Sequence, residues 1–308
     1  MHIPWTDRQV PATDEIFLDH VGWMLPDIDI AAKAFERMGF PLTPLAIHKD
    51  RHPETGEPVL VGSANRLAVL PLGYLEFLTP VEGVDTVVSQ HMRGAIARHV
   101  GVHLIAFTVP DAERYAETLV ERGFELHPTV HLRRLVDGET GAEVEAAFTV
   151  IRAKLGSIPE GRLQALTHLT PEHVWQNRLL PKENGLLGLA ETVFAVENPE
   201  ESAARFERFT GKTPIDADGE TVIPLDRGRL RFLTPDAARA LVGGPVPAAP
   251  SAVSVGLVSA DLEKTRAFLK GAGVPVTDGK DRLAIAPDEA CGVHLMIYPQ
   301  TACGSPAL

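Results

Sequence analysis

Apolar runs of strand length followed by helical periodicity recur four times along this chain. The first is Ile16-Phe17-Leu18-Asp19-His20-Val21-Gly22-Trp23-Met24-Leu25, a buried-strand pattern that carries one imidazole. Pro26-Asp27 and an amphipathic helix follow, running to the stop signal Gly39-Phe40. The second starts at Val102 and passes Pro110-Asp111; its helix places Tyr115, Leu119 and Val120 on one face and closes at Arg122-Gly123-Phe124. The third begins at Glu191, and the fourth runs from Val253 to Ala260 and on to Gly271-Ala272-Gly273. Short apolar runs come after the helices, at Leu67 to Leu70, Phe148 to Ile151, Leu283 to Ala286 and Val293 to Tyr298, separated by Gly, Pro and Asp. Each unit therefore reads β-α-β-β-β, and the fold class is α+β.

Two of these units are copies. His20 to Phe35 aligns without a gap to Glu191 to Phe206, and Gly73 to Pro80 matches Gly228 to Pro235 at six of eight positions. One long duplication explains both. The expected organisation is an N-terminal extension over residues 1–14, a first domain of two units over 15–175, and a second, degenerate domain of two units over 186–308. Two such units can curl an eight-stranded sheet around one cavity.

Composition narrows the function class. The net charge of −12 is spread along the chain, which argues against nucleic acid and against anionic membrane surfaces. No apolar run approaches the roughly 20 residues of a membrane span, and no leader pattern precedes Asp14, so a cytoplasmic location is expected. The only cysteines, Cys291 and Cys303, lack metal or disulfide spacing, so any metal must use His and carboxylate ligands. There is no G-x-G-x-x-G, P-loop, G-x-S-x-G or H-E-x-x-H motif, so neither a nucleotide cofactor nor serine hydrolase chemistry is supported.

A β-α-β-β-β unit that starts with a D-H-V strand and ends in a Y-L-E-F strand resembles the vicinal oxygen chelate superfamily. Gly62 to Leu67, Tyr74-Leu75-Glu76 and Thr167 to Trp175 look like its glyoxalase-like branch. The resemblance implies a metal held on the first and last strands of paired modules, which here means His20, Glu76, His103 and His168. It implies a divalent ion, Zn, Fe(II), Mn or Ni, with Glu76 also able to move a proton. Read from the residues alone, each histidine is equally a packed imidazole bonded to backbone, and strand alternation leaves the face of Glu76 open. His103 needs a one-residue gap to match His20, while His168 lies one register beyond Thr167, the strict match to Glu76. Arg66 is a candidate clamp for an anionic substrate group or a surface ion-pair partner, and Tyr74 and Trp175 are candidate cavity walls. His48, His52, His91, His99, His127, His131 and His173 are expected at the surface.

The resulting expectation is a metal-dependent enzyme of isomerase or lyase type, acting on a small anionic oxygenated metabolite through its vicinal oxygens. The alternatives are an Fe(II) ring-cleaving dioxygenase and a metal-free binding or resistance protein. A small-molecule substrate, and a homodimer as the assembly, are the partners considered. In the copy, His20 becomes Glu191 and Glu76 becomes Arg231, so the second half is expected to have exchanged a metal site for an ion pair.

Overall fold

The computed structural model describes residues 2–51, 54–279 and 281–304; His52 lies outside them. After a short strand β1 (Ile3–Pro4), the first half runs β2 (Phe17–Met24), α1 (Ile28–Arg37), β3 (Ala46–Arg51), β4 (Pro58–Val69) and β5 (Tyr74–Pro80). A connecting helix α2 (Val87–Arg98) leads to β6 (Gly101–Thr108), α3 (Ala112–Glu121), β7 (Val130–Asp137), β8 (Glu143–Arg152) and β9 (Arg162–His168). The second half repeats the order: β10 (Leu186–Ala195), α4 (Pro199–Thr210), β11 (Ile215–Ala217), β12 (Glu220–Pro224), β13 (Arg229–Leu233), a connecting α5 (Pro235–Val242), β14 (Ser251–Ser259), α6 (Leu262–Gly271), β15 (Thr277–Asp278), β16 (Leu283–Ile285) and β17 (His294–Pro299). A last strand, β18 (Cys303–Gly304), pairs with β1 and ties the two ends of the chain together.

Each half is one eight-stranded sheet, ordered β3-β4-β5-β2-β6-β9-β8-β7 and β11-β12-β13-β10-β14-β17-β16-β15. The four β-α-β-β-β units are those read from the sequence. Local signals set the helices as expected: the Asp27 carboxylate accepts from the Asp29 amide to cap α1, and Asp111 does the same for α3 through Arg114. The connecting helices α2 and α5 were not foreseen. Their caps are nonetheless written in the chain, as a Thr86/Ser89 capping box and as Thr234 followed by Pro235 at the first helical position.

The convex faces of both sheets pack against one another through their helices. One continuous core holds Val21, Trp23 and Phe77 of the first half, Phe35 of α1 and Leu119 of α3 together with Phe194, Phe206, Phe209 and Phe232 of the second. Backbone bonds cross the same seam, as from the Leu18 amide to the Arg227 carbonyl at 2.9 Å. The concave face of the first sheet has its own cluster, including Met24, Leu67, Val69, Tyr74, Leu104 and Phe148. The stretch Pro171 to Gly185, between β9 and β10, also sends Trp175 and Leu179 into that cluster. No described helix is long and apolar enough to cross a membrane.

Candidate active site

In β2, Leu18 pairs with Phe107 and His20 with Ala106, which leaves Asp19 as an extra residue. Such a bulge breaks strict alternation, and here two consecutive polar side chains reach the same concave side. Asp19 is fully buried and accepts from both neighbouring imidazoles, from His20 Nδ1 at 2.7 Å and from His168 Nε2 at 2.9 Å. Burial raises its pKa, but the charges and hydrogen bonds of His168 and His20 outweigh that, holding the Asp19 carboxyl well below the usual carboxylate range. Gly73, in the left-handed region at φ +80°, makes this possible, because a Cβ there would lie 2.6 Å from the Asp19 carbonyl oxygen.

With Nδ1 donating to Asp19, Nε2 is the ring nitrogen of His20 that faces the cavity, and in the neutral ring it offers its lone pair there. The Gln164 amide lies 3.1 Å from it and Glu76 Oε2 lies 3.7 Å away. Glu76 is held through its other oxygen by Asn65 Nδ2 at 2.6 Å. Tyr74 stacks on the His20 ring with centroids 4.2 Å apart, while Trp175 and Phe148 flank His168 at 4.7 and 5.2 Å. Burial, then the charges of Asp19 and Glu76, push the Tyr74 hydroxyl up, so it stays neutral.

The far strands of the same face carry arginines. Arg152 pairs with Gln164, Arg162 with Leu104 and Arg134 with Ala146, all concave positions. His48 of β3 stands on their side, bonded to Ser63 Oγ at 2.8 Å; burial lowers its pKa, Arg134 and Arg152 add to that, and Glu76 and Asn65 oppose it.

Of the residues singled out in the sequence, His20, Glu76, Tyr74, His168 and Trp175 come together. His168 needs no bulge of its own, because Gln164, Leu166 and His168 fall on one face of β9. Thr167 points away and caps α3, accepting from the Ala112 amide at 2.8 Å. Two expectations require correction. His103 is the extra residue where Gly22 pairs with Leu104 and Trp23 with Val102; its Nε2 bonds the His99 carbonyl at 2.8 Å and its Nδ1 lies 3.4 Å from the Arg98 guanidinium, and burial lowers its pKa to about 4. Arg66 pairs with Phe77 on the convex face of β4 and lies 3.8 Å from Glu36 of α1. Period-two alternation gives the cavity Asn65 and Leu67 instead. Arg66→Lys is therefore expected to leave substrate binding unchanged and stability within about 0.5 kcal/mol of wild type in a denaturant titration.

Sequence reasoning missed Asp19 as a partner of His20, and it missed Gln164 and the arginines. The Asp19-His20 dipeptide was the available signal; Gln164, inside Leu163 to Leu166, was a second, as a lone polar residue in an apolar strand.

The expected set of three imidazoles and one carboxylate does not assemble. Among the described residues no three His, Cys, Asp or Glu side chains are gathered as ligands. The donors that do converge are His20 Nε2, Glu76 Oε2 and the Gln164 amide, whose oxygen takes the inner place if the group is turned over. One nitrogen and two oxygens suit a divalent ion with open positions, and Asp19 on Nδ1 is the carboxylate that orients such a histidine ligand.

The glyoxalase-like domain family matches residues 18–210, which spans the whole site and continues through α4. The chain belongs to that family. No curated protein matches it. Among solved structures it is similar to a hypothetical protein from Staphylococcus aureus, at 11% identity and TM-score 0.63, covering 92% of this chain and 99% of that one. It is also similar to a triple mutant of 4-hydroxymandelate synthase from Streptomyces coelicolor, at 13% identity and TM-score 0.55 over 96% and 94% of the two chains. A xylose isomerase-like TIM barrel/4-hydroxyphenylpyruvate dioxygenase fusion protein matches at 14% identity and TM-score 0.56, over 96% of this chain and 50% of that one. These likenesses carry the fold, two curled sheets built from paired modules, and agree with the vicinal oxygen chelate reading of the sequence.

The second half keeps the bulge and carries other side chains at the matched places. Leu189 pairs with Leu257 and Glu191 with Gly256, leaving Ala190 where the first half has Asp19. Glu191 is fully buried and meets Arg229 at 2.7 Å, Arg231 at 3.2 Å and the Tyr298 hydroxyl at 2.5 Å.

Proposed function

We propose that the first half is the active site of a divalent-metal-assisted isomerase or lyase acting on a small metabolite with two vicinal oxygens. The observation that supports this most is the aim of His20 Nε2: its lone pair is fixed by the Asp19 bond and directed at the space shared with Glu76 and Gln164. His20, Glu76 and Gln164 would hold the ion. When bound, a divalent ion there supplies Lewis-acid polarisation of the two substrate oxygens.

The chain's own groups supply the rest. Asp19 keeps His20 in the Nδ1–H tautomer, so that the inward nitrogen is always the basic one. Glu76 is tethered through one oxygen only, by Asn65, so that Oε2 would be able to swing from the ion to a carbon beside the bound oxygens, take its proton and return it. Tyr74 and Trp175 wall this space with aromatic surface and keep water from competing for that proton.

Two structural neighbours are a 4-hydroxymandelate synthase and a 4-hydroxyphenylpyruvate dioxygenase fusion protein, and an Fe(II) site is the rival reading. Such a site ordinarily uses two imidazoles and one carboxylate. Here the second cavity imidazole, His168, is turned to Asp19, so the donor set favours the isomerase or lyase reading.

Replacing His20 and Glu76 together by Ala tests the site. Wild-type protein stripped with chelator and reloaded is expected to take up about one divalent ion per chain, and the double variant none. Wild-type uptake by the folded double variant would remove these residues from the function.

A further inference from the structure

Arg134, Arg152 and Arg162 sit on three adjacent strands of the concave face, and among the described residues none of their guanidinium groups has a hydrogen bond or an ion pair. The Nε of each is buried without a partner. Arg134 lies over the Phe148 ring at 5.9 Å. Burying cations beside one another without counter-charge is unfavourable unless something else supplies the charge. Glu76 and Asp50 are the carboxylates whose charge reaches Arg152.

The contrast with neighbouring arginines sharpens the point. Arg133, next to Arg134 but on the outer face of β7, pairs with Glu145 at 2.5 Å, and Arg66 faces Glu36. In the second half Arg229 and Arg231 are both satisfied by Glu191. Among the described residues, the three arginines that face the first cavity combine a buried Nε with no carboxylate partner. A guanidinium presents a planar fork of donors that matches the oxygens of a carboxylate or phosphate, and three forks on one wall match an anion of more than one charge.

We propose that Arg134, Arg152 and Arg162 form an anion-binding wall that holds a phosphate or carboxylate tail of the substrate, while its reacting end lies at His20 and Glu76. This rests on the first-half site described above and adds the substrate class to it. The substrate is thus a small vicinal-oxygen metabolite with an anionic tail. Its tail lies toward β9, β8 and β7, the strands on the far side of β6 from His20 of β2.

Calorimetric titration of chelator-treated protein with inorganic phosphate, and separately with malonate, tests the wall. Its result does not depend on whether His20, Glu76 and Gln164 hold an ion. Saturable binding of one or both anions is expected, weakened at least about tenfold in Arg152→Gln and in Arg162→Gln and unchanged in Arg133→Gln. Preference for phosphate or for malonate identifies the tail. Nitrogen-15 spectra of the arginine Nε–H groups in the wild-type protein give the same answer if a variant fails to fold, since three of these signals should move on titration. Absence of saturable binding, or equal weakening in Arg133→Gln, or Nε signals that do not respond, would overturn the proposal.

Discussion

Asp19→Asn is expected to lower the affinity of the site for a divalent ion by about 10- to 100-fold while leaving the chain folded. Asp19 accepts one N–H from His20 and one from His168. An asparagine offers one acceptor and one donor, so one of the two imidazoles must switch tautomer. If His20 switches, its inward nitrogen carries the proton and no longer offers a lone pair to the cavity. The same substitution has a signature in pH. The folded pKa of Asp19 is depressed below the unfolded value of about 3.9, so its contribution is complete above that value and is lost as pH falls from there toward the folded pKa. Wild type should therefore lose stability more steeply than Asp19→Asn between about pH 4 and pH 3 in urea titrations. Parallel curves would mean that Asp19 is not ionised in the folded protein.

Glu191→Ala is expected to destabilise the chain by about 3–5 kcal/mol, because it strands two guanidinium groups in a buried site. Glu191 is the common partner of Arg229, Arg231 and Tyr298, and Gly256 is there to make room for it: a Cβ at Gly256 would come within 2.4 Å of Glu191 Cγ. Arg231 retains Glu220 at 2.6 Å, which softens the loss for that residue but not for the pair. Because the second half shares its core with the first, the loss should appear as a shift of one unfolding transition. Metal stoichiometry should stay at the wild-type value. A variant as stable as wild type, or one depleted in metal, would reverse the assignment of the two halves.

The modules were legible because their signals are local. Period-two runs, period-three-and-four helices and the duplicated Gly73 to Pro80 stretch each lie within a few residues of chain. The pairing of Glu191 with Arg231 was legible for the same reason, as two substitutions at matched places in a repeat. What the sequence hid depends on register between strands. Alternation assigns Asp19 and His20 to opposite faces, and only the bulge against Phe107 and Ala106 turns both inward. Arg134, Arg152 and Arg162 are spread over three strands, and nothing in their spacing shows that alternation turns all three to the concave face. His103 failed for a related reason: a second bulge removes it from the ladder at the point where the repeat predicts a ligand.

The central claim is that one ion is held by His20, Glu76 and Gln164 in the first half and none in the second. Anomalous diffraction from a crystal grown with Mn(II) tests it most directly. A single strong peak within coordination distance of His20 Nε2, Glu76 Oε2 and the Gln164 side-chain oxygen, with Asp19 still bonded to His20 Nδ1, is the predicted result. A peak beside Glu191 and Arg231, or a crystal of metal-saturated protein with no peak at His20, would contradict it.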